Sequence, residues 1–176
     1  AVAVDAPALR AAIGTLHERF GSAAIVEEFL VGREFTVGIL GDTTPVTLPI
    51  MEICFDAPAE ALPIYTYGHK IETEAGVSFT VPAAVDETLA ERIRALALAS
   101  FEALGCRDVA RVDVRLDAAG EPNFIECNPL PGLSPGYSDL CVAAEAAGVD
   151  HGALIARILA PAVRRLALER AGRGAP

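Results

Sequence analysis

The stretch from Ala110 to Gly132 constrains the fold most, because it alternates polar and apolar residues through two segments separated by a Gly-containing turn. That pattern predicts a β-hairpin. In the first arm Arg111, Asp113 and Arg115 share one face while Val112, Val114 and Leu116 share the other, since strand side chains alternate with a period of two. In the second arm Glu126 and Asn128 share a face. A four-residue loop over 118–121 would pair Asp117 with Pro122, Asp113 with Glu126, and Arg111 with Asn128.

Two carboxylates then stand directly opposite each other, which is unfavourable unless a cation lies between them. Magnesium suits such a site: it takes oxygen ligands from one or two carboxylates and completes its shell with water and phosphate oxygens. Asp113, Glu126 and the amide oxygen of Asn128 are the candidate ligands. The competing reading is a solvated hairpin whose acids pair with Arg111 and Arg115. A slip of one residue would separate the faces, so the metal reading depends on this register.

Three separated segments now carry a resemblance: Ala110-Arg-Val-Asp113, Glu126-Cys-Asn-Pro-Leu-Pro-Gly132, and Val26-Glu-Glu-Phe-Leu-Val-Gly-Arg-Glu-Phe-Thr-Val-Gly38. Together, and in their order along the chain, they resemble the C-terminal part of an ATP-grasp ligase, with D-alanine-D-alanine ligase the nearest likeness. Three motifs in order are more specific than one. The likeness runs from about Val2 to the final helix. It implies that 1–176 is a partial ATP-grasp domain, with the family's N-terminal domain and first ATP-grasp lobe absent from this sequence.

Composition agrees with a folded globular piece: 176 residues, 52% hydrophobic and 22% charged. Four cysteines are widely spaced without a C-x-x-C pair, so neither a zinc site nor a disulfide framework is expected. A net charge of -10 argues against general nucleic-acid binding while leaving room for one nucleotide held through a metal. No apolar run reaches bilayer length and no signal core opens the chain, so no membrane partner and a cytoplasmic location are expected.

Along the chain, Asp5 is a candidate N-cap for a helix that carries Pro7 in its first turn and stops at Gly21. Leu9, Ile13, Leu16 and Phe20 form its apolar stripe. Residues 23–30 and 33–40 read as two strands joined at Val31-Gly32. Glu27 and Glu28 interrupt the first of them, and from the residues alone one points to solvent while the other caps or pairs. The resemblance implies more. Its hinge hydrogen-bonds adenine through backbone groups, its first Glu meets the adenine amino group, and the Glu after the Gly reaches ribose hydroxyls, which correspond to Glu27, Leu30 and Glu34. Glu28 lies beside them where the ligases often carry Lys. An acceptor-only carboxylate suits amino and hydroxyl donors in a mostly apolar cleft.

Residues 44–55 read as a further strand, with Pro45 and Pro49 marking irregular pairing. Periodicity then disappears over 56–80, which predicts a long loop of the kind that serves as a lid or binding loop. It contains Lys70, the single lysine in a chain with thirteen arginines. A site that wants a compact ammonium would retain a lysine there, and an ordinary surface lysine is the alternative. The resemblance implies a closing loop with Tyr-x-Tyr-x-x-Lys whose lysine meets the terminal phosphate, here Tyr65, Tyr67 and Lys70. Closure would exclude water from a reactive acyl phosphate. Ile71 stands where the compared ligases commonly have Tyr.

Residues 86–104 predict a helix opening at Asp86 and stopping at Gly105. After the hairpin, the turn-rich stretch 128–138 leads to a helix capped by Ser138-Asp139 and stopped by Gly148. Loop amides beside a helix N-terminus can receive a carboxylate. The resemblance implies that this loop holds the acceptor amino acid's carboxylate through a glycine amide, Gly132, and a serine hydroxyl, with Ser134 and Ser138 both candidates. The last segment, 150–171, predicts a helix with Pro161 as a kink or break and its arginines facing solvent.

The expected fold is α+β: an ATP-grasp C-terminal lobe, an antiparallel sheet backed by helices with a long active-site loop. The implied reaction is ATP-dependent carboxylate-amine ligation, in which ATP phosphorylates a carboxylate and an amine attacks the acyl phosphate, giving a dipeptide, ADP and phosphate. That is a step of peptidoglycan and cell-wall synthesis in the resembled family. Expected cofactors are ATP and Mg2+ or Mn2+, with Arg111 stabilising the tetrahedral intermediate. Expected partners are small amino-acid substrates and the family's N-terminal domains, and a homodimer is an allowed assembly. The alternatives are an ATP-grasp ligase with a different acceptor and a non-catalytic Mg-nucleotide-binding fragment.

Overall fold

The structure is a computed structural model and describes residues 2–55 and 77–173. Two compact units divide the chain, Ala1–Leu30 and Val31–Pro176.

In the first unit, α1 (Ala6–Phe20) begins as its sequence dictates. Asp5 Oδ1 accepts from the Ala8 N–H at 2.8 Å, Pro7 lies in the first turn, and Gly21 closes the helix in the left-handed region at φ 63°. Ile13, Leu16 and Phe20 of the expected stripe each keep more than a third of their surface exposed. The strand expected over 23–30 does not form. β-Branched residues supply propensity there, but propensity without a hydrogen-bonded ladder does not make a strand.

The second unit is built on an antiparallel sheet. Its strands are β1 (Glu34–Gly41), β2 (Val46–Thr47), β3 (Met51–Phe55), β4 (Val77–Thr80), β5 (Asp108–Leu116) and β6 (Pro122–Asn128). The order is β4-β3-β1-β5-β6, with β2 paired to the end of β1. The expected strand over 44–55 is thus interrupted between β2 and β3, where Pro49 has no N–H for a ladder. The loop expected over 56–80 does not hold at its far end, where Val77–Thr80 pairs with β3, Phe55 facing Val77 and Glu52 facing Thr80, and its remainder lies outside the described residues. Val77 and Phe79 alternate with Ser78 and Thr80, a short strand signal that the sequence did carry. Tyr65, Tyr67, Lys70 and Ile71 lie outside the described residues.

Period two decides which helix each strand residue meets. Phe35, Val37 and Ile39 of β1 and Ala110, Val112, Val114 and Leu116 of β5 pack against Ala90, Ile93, Ala97 and Phe101 of α2 (Glu87–Ala103). On the other face, Leu40, Leu48 and Met51 pack with Leu140, Cys141, Ala143 and Ala144 of α3 (Asp139–Ala146) and Leu154 of α4 (His151–Arg173). Central strands β1 and β5 are therefore buried on both faces.

α4 passes through Pro161 without a break. Its arginines do not all face solvent. Arg165 forms hydrogen-bonded ion pairs with Asp42, just past β1, and with Asp108 Oδ1 and Oδ2 at 2.7 and 2.5 Å. Asp108 holds a left-handed φ of 67°, which aspartate tolerates better than most residues. Among the described residues no single helix is long and apolar enough to cross a membrane.

Candidate functional site

On the sheet face opposite α2, three neighbouring strands align a polar ladder. Thr36 faces Asp113 and Asp113 faces Glu126; Gly38 faces Arg111 and Arg111 faces Asn128; Glu34 faces Arg115. The register that sets Asp113 against Glu126 is the one the alternation predicts. Nearer the turn it differs by one residue, Leu116 facing Pro122, and an irregularity beside Asp113 and Val114 restores it. Phe124 faces Val114 and Glu126 faces Asp113, so Ile125 is the extra residue of a β-bulge.

The bulge leaves Asp113 at a crowded polar centre, 6% exposed. Arg111 donates to both of its oxygens, Nε to Oδ1 at 3.0 Å and Nη2 to Oδ2 at 2.9 Å, and the Thr36 hydroxyl donates to Oδ1 at 2.6 Å. The Glu126 side chain, half exposed, has Oε1 3.8 Å from Arg111 Nη2. Asn128 Oδ1 accepts from the Leu130 N–H at 3.1 Å, an Asx-type contact that starts the following loop.

A second acid reaches Arg111 from α3, and a glycine makes that approach possible. Gly38 is Arg111's partner on β1, and a Cβ on residue 38 would stand 2.7 Å from Leu140 Cδ1. Leu140 therefore seats directly on the sheet, which brings the preceding Asp139 alongside, where its Oδ2 accepts from Arg111 Nη1 at 3.0 Å. Burial is the largest influence on the Arg111 guanidinium and pulls its pKa down. The hydrogen bonds and charge of Asp113, with the charges of Asp139 and Glu126, outweigh burial and raise it. Arg111 stays charged.

The loop that joins β6 to α3 closes on itself. Ser138 Oγ accepts from the Ser134 N–H at 3.0 Å and lies 2.6 Å from where a Cβ on residue 132 would stand, so a side chain there would displace the Ser138 hydroxyl. Ser138 stands at the N-cap position without capping α3 through its side chain. Between the two candidate serines, the structure brings the Ser138 hydroxyl to Gly132. The His151 ring Nε2 meets the Leu133 carbonyl at 2.9 Å and ties the loop to α4.

Glu34, 8% exposed, pairs with Arg115 Nη1 at 3.0 Å, and Arg115 Nε donates to the Gly32 carbonyl at 3.2 Å. Burial lowers the Arg115 pKa and Glu34 offsets part of that. In the first unit Glu27 and Glu28 are exposed and Leu30 is half-buried. Thr36 and Asp139 were not anticipated as site residues. Thr36 carried a usable signal, since it lies two residues from Glu34 and thus on the same strand face. Asp139 carried none beyond its place at a helix start.

Asp113, Glu126 and Asn128 together offer hard oxygen donors from two adjacent strands, the donor chemistry magnesium takes. Among the described residues no three His, Cys, Asp or Glu side chains converge as a metal cluster, and this set is two carboxylates with an amide.

Residues 3–160 match the family described as D-ala D-ala ligase C-terminus. The chain is 37% identical over 157 residues to the uncharacterized protein y4sG of Sinorhizobium fredii, covering 89% of this chain and 46% of that protein. It is 36% identical over 152 residues to a D-alanine-D-alanine ligase of Pelotomaculum thermopropionicum, covering 86% of this chain and 45% of that enzyme. The fold is similar to the crystal structure of D-alanine-D-alanine ligase from Bacillus anthracis complexed with ATP, with a TM-score of 0.76 and 28% identity over 96% of this chain and 52% of that one. The chain spans about half the length of each of these proteins.

Proposed function

The chain belongs to the D-alanine-D-alanine ligase family, whose C-terminal domain it matches, and we propose that it is the ATP- and magnesium-binding half of an ATP-dependent carboxylate-amine ligase. In that reading 1–176 is a partial ATP-grasp domain that works with the family's N-terminal domain and first lobe. ATP phosphorylates a carboxylate, and the amine of a second amino acid attacks the acyl phosphate to give a dipeptide, ADP and phosphate. One observation carries the reading: Asp113 faces Glu126 in register, with buried Arg111 paired to Asp113 and tied by Asp139 to the loop that holds Gly132 and Ser138.

Asp113, Glu126 and Asn128 are the residues that would hold a divalent metal, which supplies neutralisation of charge on ATP's phosphates. Arg111 presents a planar donor fork suited to an oxyanion that develops during acyl transfer. Glu34 is the acceptor for ribose hydroxyls, and Glu27, Glu28 and Leu30 are the adenine contacts that the family likeness implies. Lys70, with Tyr65 and Tyr67, is the phosphate-binding loop group. Gly132 and Ser138 receive the acceptor's carboxylate, with Ser134 held in place by the Ser138 hydroxyl.

A second version concerns the acceptor. Asp139 sets a carboxylate one residue after Ser138, and Ile71 replaces the expected Tyr, which together favour an acceptor other than D-alanine. The test is calorimetric titration of ATP with and without Mg2+. Binding that requires Mg2+ and disappears in Asp113→Asn combined with Glu126→Gln supports the metal and nucleotide assignment; the same affinity in that double variant removes it.

A further inference from the structure

The Asp113 carboxylate is already engaged by a cation. Arg111 covers both of its oxygens with a two-pronged fork at 3.0 and 2.9 Å, and Thr36 takes Oδ1 as well. A carboxylate has about four lone-pair directions in all. A divalent ion that ligates Asp113 therefore meets a guanidinium within hydrogen-bonding distance of the same oxygens, and two cations repel strongly in so buried a place. Arg111 also has a third bond that does not involve Asp113, from Nη1 to Asp139 Oδ2 at 3.0 Å. Nη1 can keep that anchor when Nε and Nη2 lose theirs.

Resting on the metal assignment above, we propose that Arg111 and a divalent metal compete for Asp113, and that Asp139 is the positioning residue that retains the guanidinium when the metal wins. Metal loading then frees the Nε and Nη2 edge of Arg111. It does so without leaving the arginine buried and unpaired, a state that costs several times what an ordinary exposed pair is worth. An oxyanion stabiliser is thereby made available only at sites that hold metal. Arg111 and Asp139 would otherwise be a plain structural pair.

The experiment is Mn2+ binding to the full chain, read by electron paramagnetic resonance of the free ion. Under competition Arg111→Gln tightens Mn2+ binding about tenfold, the factor set by one charge-assisted hydrogen bond. Loss of a positive charge alone would also tighten it. Arg111→Lys separates the two, because lysine keeps the charge but lacks the fork. Competition predicts that Arg111→Lys also binds Mn2+ several-fold more tightly than the parent chain, and it is the variant to rely on if Arg111→Gln fails to fold. Wild-type affinity in Arg111→Lys, or weaker binding in either variant, overturns the proposal. Asp139→Asn should weaken Mn2+ binding in the parent and do so less in the Arg111→Gln background; an equal loss in both overturns the anchoring role. Asp113→Asn with Glu126→Gln separates the layers: if it leaves Mn2+ binding intact, or if the parent binds no Mn2+, the metal assignment itself falls and the proposal with it.

Discussion

Leu140 of α3 fills the space that a side chain on Gly38 of β1 would need, with Leu48 Cδ1 only 2.9 Å from the same point. This contact sets how close α3 lies to the sheet, and through it the meeting of Asp139 with Arg111. Gly38→Ala is expected to cost about 1–3 kcal/mol by overpacking. Urea unfolding should show a lower midpoint at unchanged slope. An unshifted midpoint would mean that α3 gives way freely and does not fix Asp139.

Arg111 lies between Asp113 and Asp139, and all three side chains are at most 15% exposed. Arg111→Gln removes the guanidinium that Asp113 and Asp139 share, and breaking a buried pair in this way costs roughly 3–5 kcal/mol. Divalent metal should restore part of that loss. A destabilisation below about 1 kcal/mol, the range of exposed pairs, would show that water already screens these acids.

Asp108 is held below the usual carboxylate range, chiefly by its hydrogen bonds to Arg165. A depressed folded-state pKa stabilises the fold above the unfolded value of about 4, and that contribution is lost as pH falls through the folded value. Asp108→Asn, which tolerates the left-handed backbone, should therefore be less stable than the parent at neutral pH. The difference should shrink as pH falls below that unfolded value. A gap that stays constant across this range in urea titrations would place the Asp108 effect outside its ionisation.

Cys127 lies between Glu126 and Asn128, with its Sγ 3.7 Å from that of Cys106. Burial, followed by the Cys106 contact and nearby acids, pushes its thiol up to about 12. Near pH 8 its thiolate fraction should be on the order of 10³-fold below that of an unfolded cysteine. Iodoacetamide with mass-spectrometric mapping should leave Cys127 unmodified in the native chain and label it in urea. Native labelling as fast as in urea would show that this strand opens readily.

Much of the site is legible in the sequence. Alternation over Arg111 to Leu116 and again at Glu126 to Asn128 gives the opposed carboxylates, and capping residues Asp5 and Asp86 give two helix starts, because these are local effects of side-chain period and orphan amide hydrogens. The bulge at Ile125 was missed, although the adjacent apolar pair Phe124-Ile125 breaks the alternation and is its trace. The strand expected at 23–30 failed for the opposite reason: its propensity is real, but a strand is completed by a partner elsewhere in the chain.

The sequence by itself determined the antiparallel hairpin, the pairing of Asp113 with Glu126 and the glycine of the following loop, since each is written within a short span of neighbouring residues, and it carried the family likeness in three separated motifs. Only the tertiary structure decided that Thr36 donates to Asp113 across 77 positions, that Asp139 reaches Arg111 across 28, and that Arg165 clamps Asp42 and Asp108. The Thr36 bond forms because β1 pairs with β5, the Asp139 bond because Gly38 admits Leu140, and the Arg165 clamp because α4 packs by one end of the sheet. Periodicity gives the face on which a residue lies, as for Thr36, but not the partner that a distant element brings to it.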